Sequence, residues 1–135
     1  MFPSPVHYSR EGTSGWEIED WETANKLLSY LDPKVRSFAI FEKADRSYVQ
    51  CAGAKRGLTV EARVNGKRGK FKHYRFGRAE PVGKTASIRC SVGPIRVDET
   101  QLLTLRDARI IMRQFLAEGT FSEKYVATEL GPDFK

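Results

Sequence analysis

The stretch from Leu58 to Gly66 constrains the fold more than any other. Leu58, Val60, Ala62 and Val64 alternate with Thr59, Glu61 and Arg63, and Asn65-Gly66 follows at once. A period of two sends successive side chains to opposite faces of a strand, so one face here is apolar and the other polar. Such a strand belongs in an antiparallel sheet with one face covered. Asn-Gly is the strongest short hairpin signal, because a type I′ turn needs positive φ at both central positions. The pattern predicts a turn at Asn65-Gly66 and a return strand over residues 67–76, with Gly69 marking a bulge.

Other short strands surround this hairpin. Residues 37–43 are rich in aromatic and branched side chains, residues 44–47 are turn formers, and residues 48–52 pair back. Residues 53–57 and 77–84 read as loops, and residues 85–90 and 93–97 as two more strands. Two helices flank the run. Asp20 suits an N-cap before Trp21, Ala24, Leu27, Leu28 and Leu31, which recur on one helical face. Asp32-Pro33 then stops the helix, which is expected over residues 21–31. Thr104 and Asp107 have capping-box spacing ahead of the stripe Leu105, Ala108, Ile111, Met112, Phe115 and Leu116, and Gly119 ends it. The expected class is α+β: an antiparallel sheet of about six strands, with an N-terminal and a C-terminal helix packed on it.

A length of 135 residues points to a single domain over 1–135. Residues 1–15 read as an irregular lead-in, with at most a short edge strand at Val6, His7 and Tyr8. Residues 16–120 form the core, and residues 121–135 a tail that Gly131-Pro132 ends. No apolar run approaches the roughly 20 residues of a membrane-spanning helix, and no secretory signal opens the sequence. The expected compartment is the cytoplasm, without membrane attachment. Cys51 and Cys90, both in strand segments, read there as reduced thiols, although their spacing leaves a disulfide open.

Charge is unevenly spread. Between Lys55 and Arg78 stand nine basic side chains against the single acid Glu61, a net +8 in a chain of net +6, so the other residues together carry −2. The tip of the expected hairpin presents Lys67, Arg68 and Lys70 together. Such a tip attracts an acidic protein surface or a nucleic-acid backbone, or serves as a solvated edge that resists strand pairing. For nucleic acid, Tyr74 or Phe76 would be the stacking surfaces.

Groups for catalysis are sparse. His7 and His73 are the only histidines, and Cys-x-x-Cys, His-Glu-x-x-His and His-x-Glu with paired cysteines are all absent. A zinc site would have to gather His7, His73, Cys51 and Cys90 from four separate places. The Gly53–Gly57 loop precedes a strand, whereas a phosphate-cradling loop leads into a helix. Gly83-Lys84-Thr85 lacks the first glycine of a nucleotide loop. Asp98 and Glu99 read as a turn before a helix, and His73 as a solvated or hydrogen-bonded surface residue. The chain is therefore read as a non-enzyme with no catalytic residue, metal ligand or cofactor.

Three stretches carry a resemblance. They are Trp21-Glu22-Thr23-Ala24-Asn25-Lys26-Leu27-Leu28; the pair Tyr48-Val49-Gln50-Cys51-Ala52-Gly53 and Leu58-Thr59-Val60-Glu61-Ala62-Arg63; and residues 97–119, with Leu102-Leu103-Thr104, Asp107-Ala108 and Phe115-Leu116-Ala117-Glu118-Gly119. Over residues 16–120 the chain resembles the first-numbered family of bacterial polymorphic-toxin immunity proteins. It departs from that pattern in having Tyr125 and no tryptophan after its last helix, and in being basic. The resemblance implies a small cytoplasmic protein that binds a cognate toxin domain, often a nuclease or deaminase, and occludes it. Charge and expected exposure, not the resemblance, nominate Lys67, Arg68, Lys70, Lys72, Tyr74, Arg75 and Arg78 as partner contacts. The alternative is a small basic nucleic-acid-binding domain using the hairpin of residues 55–78.

Overall fold

The computed structural model describes residues 1–34 and 36–131. Among these residues the order is β1 (Val6–Arg10), β2 (Thr13–Ile18), α1 (Trp21–Leu28), β3 (Phe38–Glu42), β4 (Tyr48–Ala54), β5 (Gly57–Asn65), β6 (Phe71–Gly77), β7 (Thr85–Ile88), β8 (Ile95–Asp98), α2 (Leu105–Glu118) and β9 (Val126–Glu129). Seven strands form one antiparallel sheet in the order β2-β1-β3-β4-β5-β6-β9. β7 and β8 form a separate two-stranded ribbon that packs against β4 and β5. The class is α+β, and the sheet is larger than the six strands expected.

Alternation sorts the sheet into two faces. Val49, Cys51, Val60, Ala62 and Phe76 are wholly buried and share one core cluster with Ile111, Met112 and Phe115 of α2. Full burial of each large apolar side chain contributes about 1.5–3 kcal/mol, so this face holds the fold together. α2 lies over β4 and β5. Its start is fixed as its sequence suggests: the Asp107 N–H donates to Thr104 Oγ1 at 3.4 Å and the Thr104 N–H to Asp107 Oδ2 at 2.9 Å. Gly119 closes it in the left-handed region, at φ 73°.

The expected N-terminal helix is corrected in two ways. Two strands precede α1, and it packs on α2, the helix that lies over β4 and β5. Asp20 caps it, accepting from the Thr23 N–H at 2.8 Å. It ends at Leu28, not Leu31, because the N–H groups of Ser29, Tyr30 and Leu31 reach back only three residues, in a tightened last turn ahead of Pro33.

Residues 1–15 are no irregular lead-in. β1 pairs with β3, and β2 forms the outer edge beyond it. Val6 and Tyr8 are buried, so the alternation runs from the first strand onward. The tail likewise supplies β9, which pairs with β6; Pro132 lies outside the described residues. The loop expected over 53–57 shrinks to a two-residue turn at Lys55-Arg56, since β4 and β5 pair as far as Ala54 and Gly57. Gly53 sits in the strand at φ 128°, and a Cβ there would lie 2.5 Å from both Gly57 O and Ile88 Cγ2. Only glycine allows this approach of the ribbon. β7 stops at Ile88, leaving Cys90 beyond the strand, and both cysteines are free.

The central hairpin turns three residues later than expected. Gly66 is extended, at φ −113°, while Arg68 and Gly69 take positive φ of 60° and 72°. The Lys70 N–H donates to Lys67 O at 3.2 Å and closes the turn. Asn65 is otherwise engaged: its N–H donates to Ser47 Oγ, its Nδ2 to Asp45 O, and its Oδ1 accepts from Arg63 Nε. These bonds tie it to the β3–β4 turn and hold it in the strand. Positive φ then passes to Arg68-Gly69, and Gly69 serves the turn and not a bulge.

Candidate partner-binding site

The shifted turn decides which charges are free. A two-residue turn at Asn65-Gly66 would set Val64 opposite Lys67 and Glu61 opposite Lys70. The observed register sets Val64 opposite Lys72 and Glu61 opposite Arg75. Lys72, Tyr74 and Phe76 thus share the face that carries the core, and Phe71, His73 and Arg75 share the other.

On that other face Glu61, His73 and Arg75 form a buried cluster, 4–7% exposed. Arg75 donates to Glu61 Oε2 from Nη2 at 2.7 Å and from Nε at 2.9 Å, and His73 Nε2 lies 2.9 Å from Oε1. Burial pushes the Glu61 carboxyl up. The His73 hydrogen bond, the Arg75 charge and the Arg75 hydrogen bonds outweigh burial and hold it below the ordinary value. The geometry anchors β6 to β5. His73 is therefore buried and paired, against the expectation of a solvated residue, and Arg75 is corrected from a partner contact to a structural one.

Two further candidates have partners inside the fold. Arg78 Nη2 donates to Asp107 Oδ2 at 2.9 Å, so the exposed guanidinium is tied to the start of α2. Asp107 also accepts from Tyr125 OH at 2.7 Å. Burial pushes its carboxyl up, but the Thr104 N–H, Tyr125 and Arg78 together hold it at about 2. Tyr74 packs edge-on against Phe121, with centroids 5.1 Å apart. Phe76 is wholly buried and also packs on Phe121.

Lys67, Arg68, Lys70 and Lys72 remain. All four are exposed, and among the described residues no acidic side chain lies in ion-pair contact with them. Lys67, Lys70 and Lys72 line a groove of about 870 Å³ beside β6, whose walls include Val64, Phe71, Tyr74, Glu129 and Leu130; Arg68, in the same turn, does not line it. Val64 is 36% exposed and Phe71 46%, on opposite faces of the hairpin, Val64 beside Lys72 and Phe71 beneath Arg63. The Arg63 guanidinium stacks on the Phe71 ring, 3.7 Å from its centroid. Sequence reasoning missed Phe71, Val64 and Glu61. The available signal was Glu61 itself, a lone acid inside a basic block on the polar face of its strand.

Lys55 and Arg56 belong to the basic block in sequence but not in space. They form the β4–β5 turn, at the far end of the nine-residue β5. At 3.3–3.4 Å per residue, that is roughly 25 Å away.

Among the described residues no three His, Cys, Asp or Glu side chains gather to hold a metal ion, and no helix is long and apolar enough to cross a membrane. Comparison of the sequence with protein-family models and with curated proteins gave no match.

Proposed function

We propose that this chain is an immunity-type binding module that acts in the cytoplasm, capturing a cognate toxin domain through the β5–β6 tip and covering that domain's working surface. One observation carries the reading: four exposed cations, with no acidic partner among the described residues, cluster at the β5–β6 tip beside the exposed apolar side chains of Val64 and Phe71. Protein interfaces draw their affinity from a few apolar anchors inside a polar rim, and complementary charge speeds capture.

The test is binding to a toxin domain encoded beside this chain. Isothermal titration of the purified pair is expected to give a tight one-to-one complex, and the association rate should fall as salt rises. Reversing Lys67, Arg68 and Lys70 to Glu leaves the circular dichroism spectrum unchanged and slows association by roughly tenfold or more at low salt. Failure of the pair to associate at low salt refutes the proposal.

Single-stranded nucleic acid is the competing partner, favoured by one feature: Phe71 is an exposed aromatic between two lysines. Against it, Phe76 and Tyr74 are packed on Phe121, and Arg63 covers one face of Phe71. A strong, salt-sensitive mobility shift with single-stranded DNA or RNA would replace the toxin reading, and no shift at low salt removes the alternative.

A further inference from the structure

Three segments far apart in sequence meet at the Glu11 carboxylate. Glu11 lies in the β1–β2 turn, Ser37 just before β3, and Cys90-Ser91 between β7 and β8. The Ser37 and Ser91 hydroxyls both donate to Glu11 Oε2, the second at 2.6 Å. The Ser37 N–H donates to the same oxygen at 2.9 Å, and the Phe38 N–H to Oε1 at 3.2 Å. The Ser91 N–H donates to Ser37 Oγ at 3.0 Å, and Cys90 Sγ lies 3.1 Å from that oxygen. Ser37 is wholly buried, and its main-chain O accepts from the Gly53 N–H of β4 at 2.6 Å. The tip of the β7–β8 ribbon is thus tied to the sheet through one carboxylate, by hydrogen bonds that charge makes about twice as strong as neutral ones.

Little else holds the tip. Within β7 and β8 only Ile88 and Val97 are buried, and neither belongs to the core cluster shared by the sheet and α2. The base is bolted down. Asp98 accepts from the Gly83 N–H at 2.8 Å, the Thr100 N–H at 3.0 Å and the Thr100 hydroxyl at 2.6 Å, and the Glu99 N–H donates to Lys84 O at 2.6 Å. Segments with few buried apolar contacts of their own open locally, below the free energy of global unfolding. We propose that the β7–β8 ribbon is a hinged strap, fixed at its Asp98 base and latched at its tip through Glu11, that opens in acid while the seven-stranded sheet stays folded. Open, it exposes Ile88, Val97 and the main chain at Gly53.

Burial pushes the Glu11 carboxyl up, but its bonds from Ser37 and Ser91 outweigh burial and hold it below its ordinary 4.5. The latch is therefore complete above pH 4.5 and is lost as pH falls through the lower folded value. Asp98 is held at about 2, first by the Thr100 hydroxyl, so the base stays fixed where the tip lets go. The charged side chains beside the latch are Arg10, whose Nη1 donates to the Glu11 main-chain O at 3.0 Å, Arg36, which lies 5.7 Å from the Tyr30 ring centroid, and the exposed Arg89. Among the described residues none of them is an ion-pair partner of the Glu11 carboxylate.

The two cysteines separate local from global opening. Cys90 is half-buried in the latch, and Cys51 is wholly buried in β4. The full chain is treated with 4,4′-dithiodipyridine, which modifies thiols in acid as well as at neutral pH. The rate at each cysteine is read by peptide mass mapping and normalised to glutathione at the same pH. As pH falls from neutral to below 4.5, the Cys90 rate should rise severalfold while Cys51 stays protected. Glu11→Gln should raise the Cys90 rate at neutral pH by roughly tenfold or more and remove the rise in acid. In the same variant, hydrogen exchange should speed up over residues 85–98 and stay slow in β5. Ser91→Ala, at an exposed position, should raise the Cys90 rate severalfold and keep a rise in acid.

Cys90 and Cys51 rates that climb together overturn the strap, because the ribbon would then open only with the whole fold. A Cys90 rate that neither acid nor Glu11→Gln changes overturns the latch. Should Glu11→Gln fail to fold, Ser91→Ala decides: an unchanged Cys90 rate with unchanged exchange over residues 85–98 overturns the proposal.

Discussion

Glu61→Gln removes a negative charge from a place where water cannot replace it. Glu61, His73 and Arg75 are 4%, 6% and 7% exposed, and the carboxylate takes two bonds from Arg75, at 2.7 and 2.9 Å, and one contact from His73 at 2.9 Å. Two unit charges about 4 Å apart at an effective dielectric constant near 20 attract by about 4 kcal/mol. Removing one partner of a buried pair costs roughly 3–5 kcal/mol, because the other charge is left stranded. Glutamine keeps an acceptor oxygen, so the expected loss is about 3 kcal/mol. In urea, with a slope of about 2 kcal/mol/M, the unfolding midpoint falls by about 1.5 M. The double change Glu61→Leu with Arg75→Met strands no charge and should recover most of that loss. The pH dependence has a definite sign. The Glu61 carboxyl is depressed in the fold, so its contribution is complete above its ordinary value of 4.5 and is lost as pH falls through the lower folded value. Wild type and Glu61→Gln therefore converge in acid. A loss below about 1 kcal/mol at neutral pH would show that the cluster is solvated, and Arg75 would return to the set of residues open to a partner.

Phe115→Ala should cost about 3–5 kcal/mol and Ile111→Ala about 2–5 kcal/mol in the same unfolding assay, since both lie wholly inside the core shared by α2 and the sheet. A near-neutral result at either would mean that α2 does not cover β4 and β5. Arg68→Gly should leave stability unchanged or raise it by up to about 1 kcal/mol, because a left-handed φ strains any residue with a Cβ and glycine is free of that strain. Asp107, held at about 2 against an ordinary 3.8, contributes on the order of 2 kcal/mol above pH 3.8 that is lost as pH falls toward 2. Asp107→Asn should remove that contribution at neutral pH. It should also bring Tyr125, raised to about 12 by burial and by Asp107, back toward 10.0 in an ultraviolet titration of tyrosinate.

Both helices and the alternation of β5 were legible because each rests on local physics: an N-cap, an apolar stripe, a period of two. The capping box of Thr104 and Asp107 is local in the same sense, and it forms. The first hairpin was hidden because Gly12 and Gly15 suggest irregularity, yet both take positive φ within a paired ribbon, at 78° and 87°. β9 was hidden because an edge strand of four residues carries too few alternations to stand out. The central turn was misplaced for a different reason. Asn65 has strong turn chemistry, but three hydrogen bonds to Ser47, Asp45 and Arg63 spend it on holding the β3–β4 turn, and the first two of those residues lie at least 18 positions away in sequence. No local rule sees that competition. The slip carried over to the site, because it hid the pairing of Glu61 with Arg75 and with it the distinction between a structural arginine and an available one.

The same register changes what the basic block does. Counted along the chain it carries nine cations, but their positions divide them. Arg75 is buried on Glu61, Arg78 is tied to Asp107, and Arg63 lies flat on Phe71. Lys55 and Arg56 are at the opposite end of β5, several Debye lengths away at physiological salt, where that length is about 8 Å. A partner arriving at the tip therefore feels chiefly Lys67, Arg68, Lys70 and Lys72. Four clustered charges steer an encounter but supply little affinity once they are screened, so binding that persists at high salt has to come from exposed apolar side chains at the tip, Phe71 first. The two contributions are separable. Reversing the cations should lower the association rate and its salt dependence, whereas Phe71→Ser should raise the dissociation rate by several-fold and leave the salt dependence of association intact. If Phe71→Ser left the dissociation rate unchanged while charge reversal abolished binding, the tip would be a purely electrostatic contact and the groove would play no part in recognition.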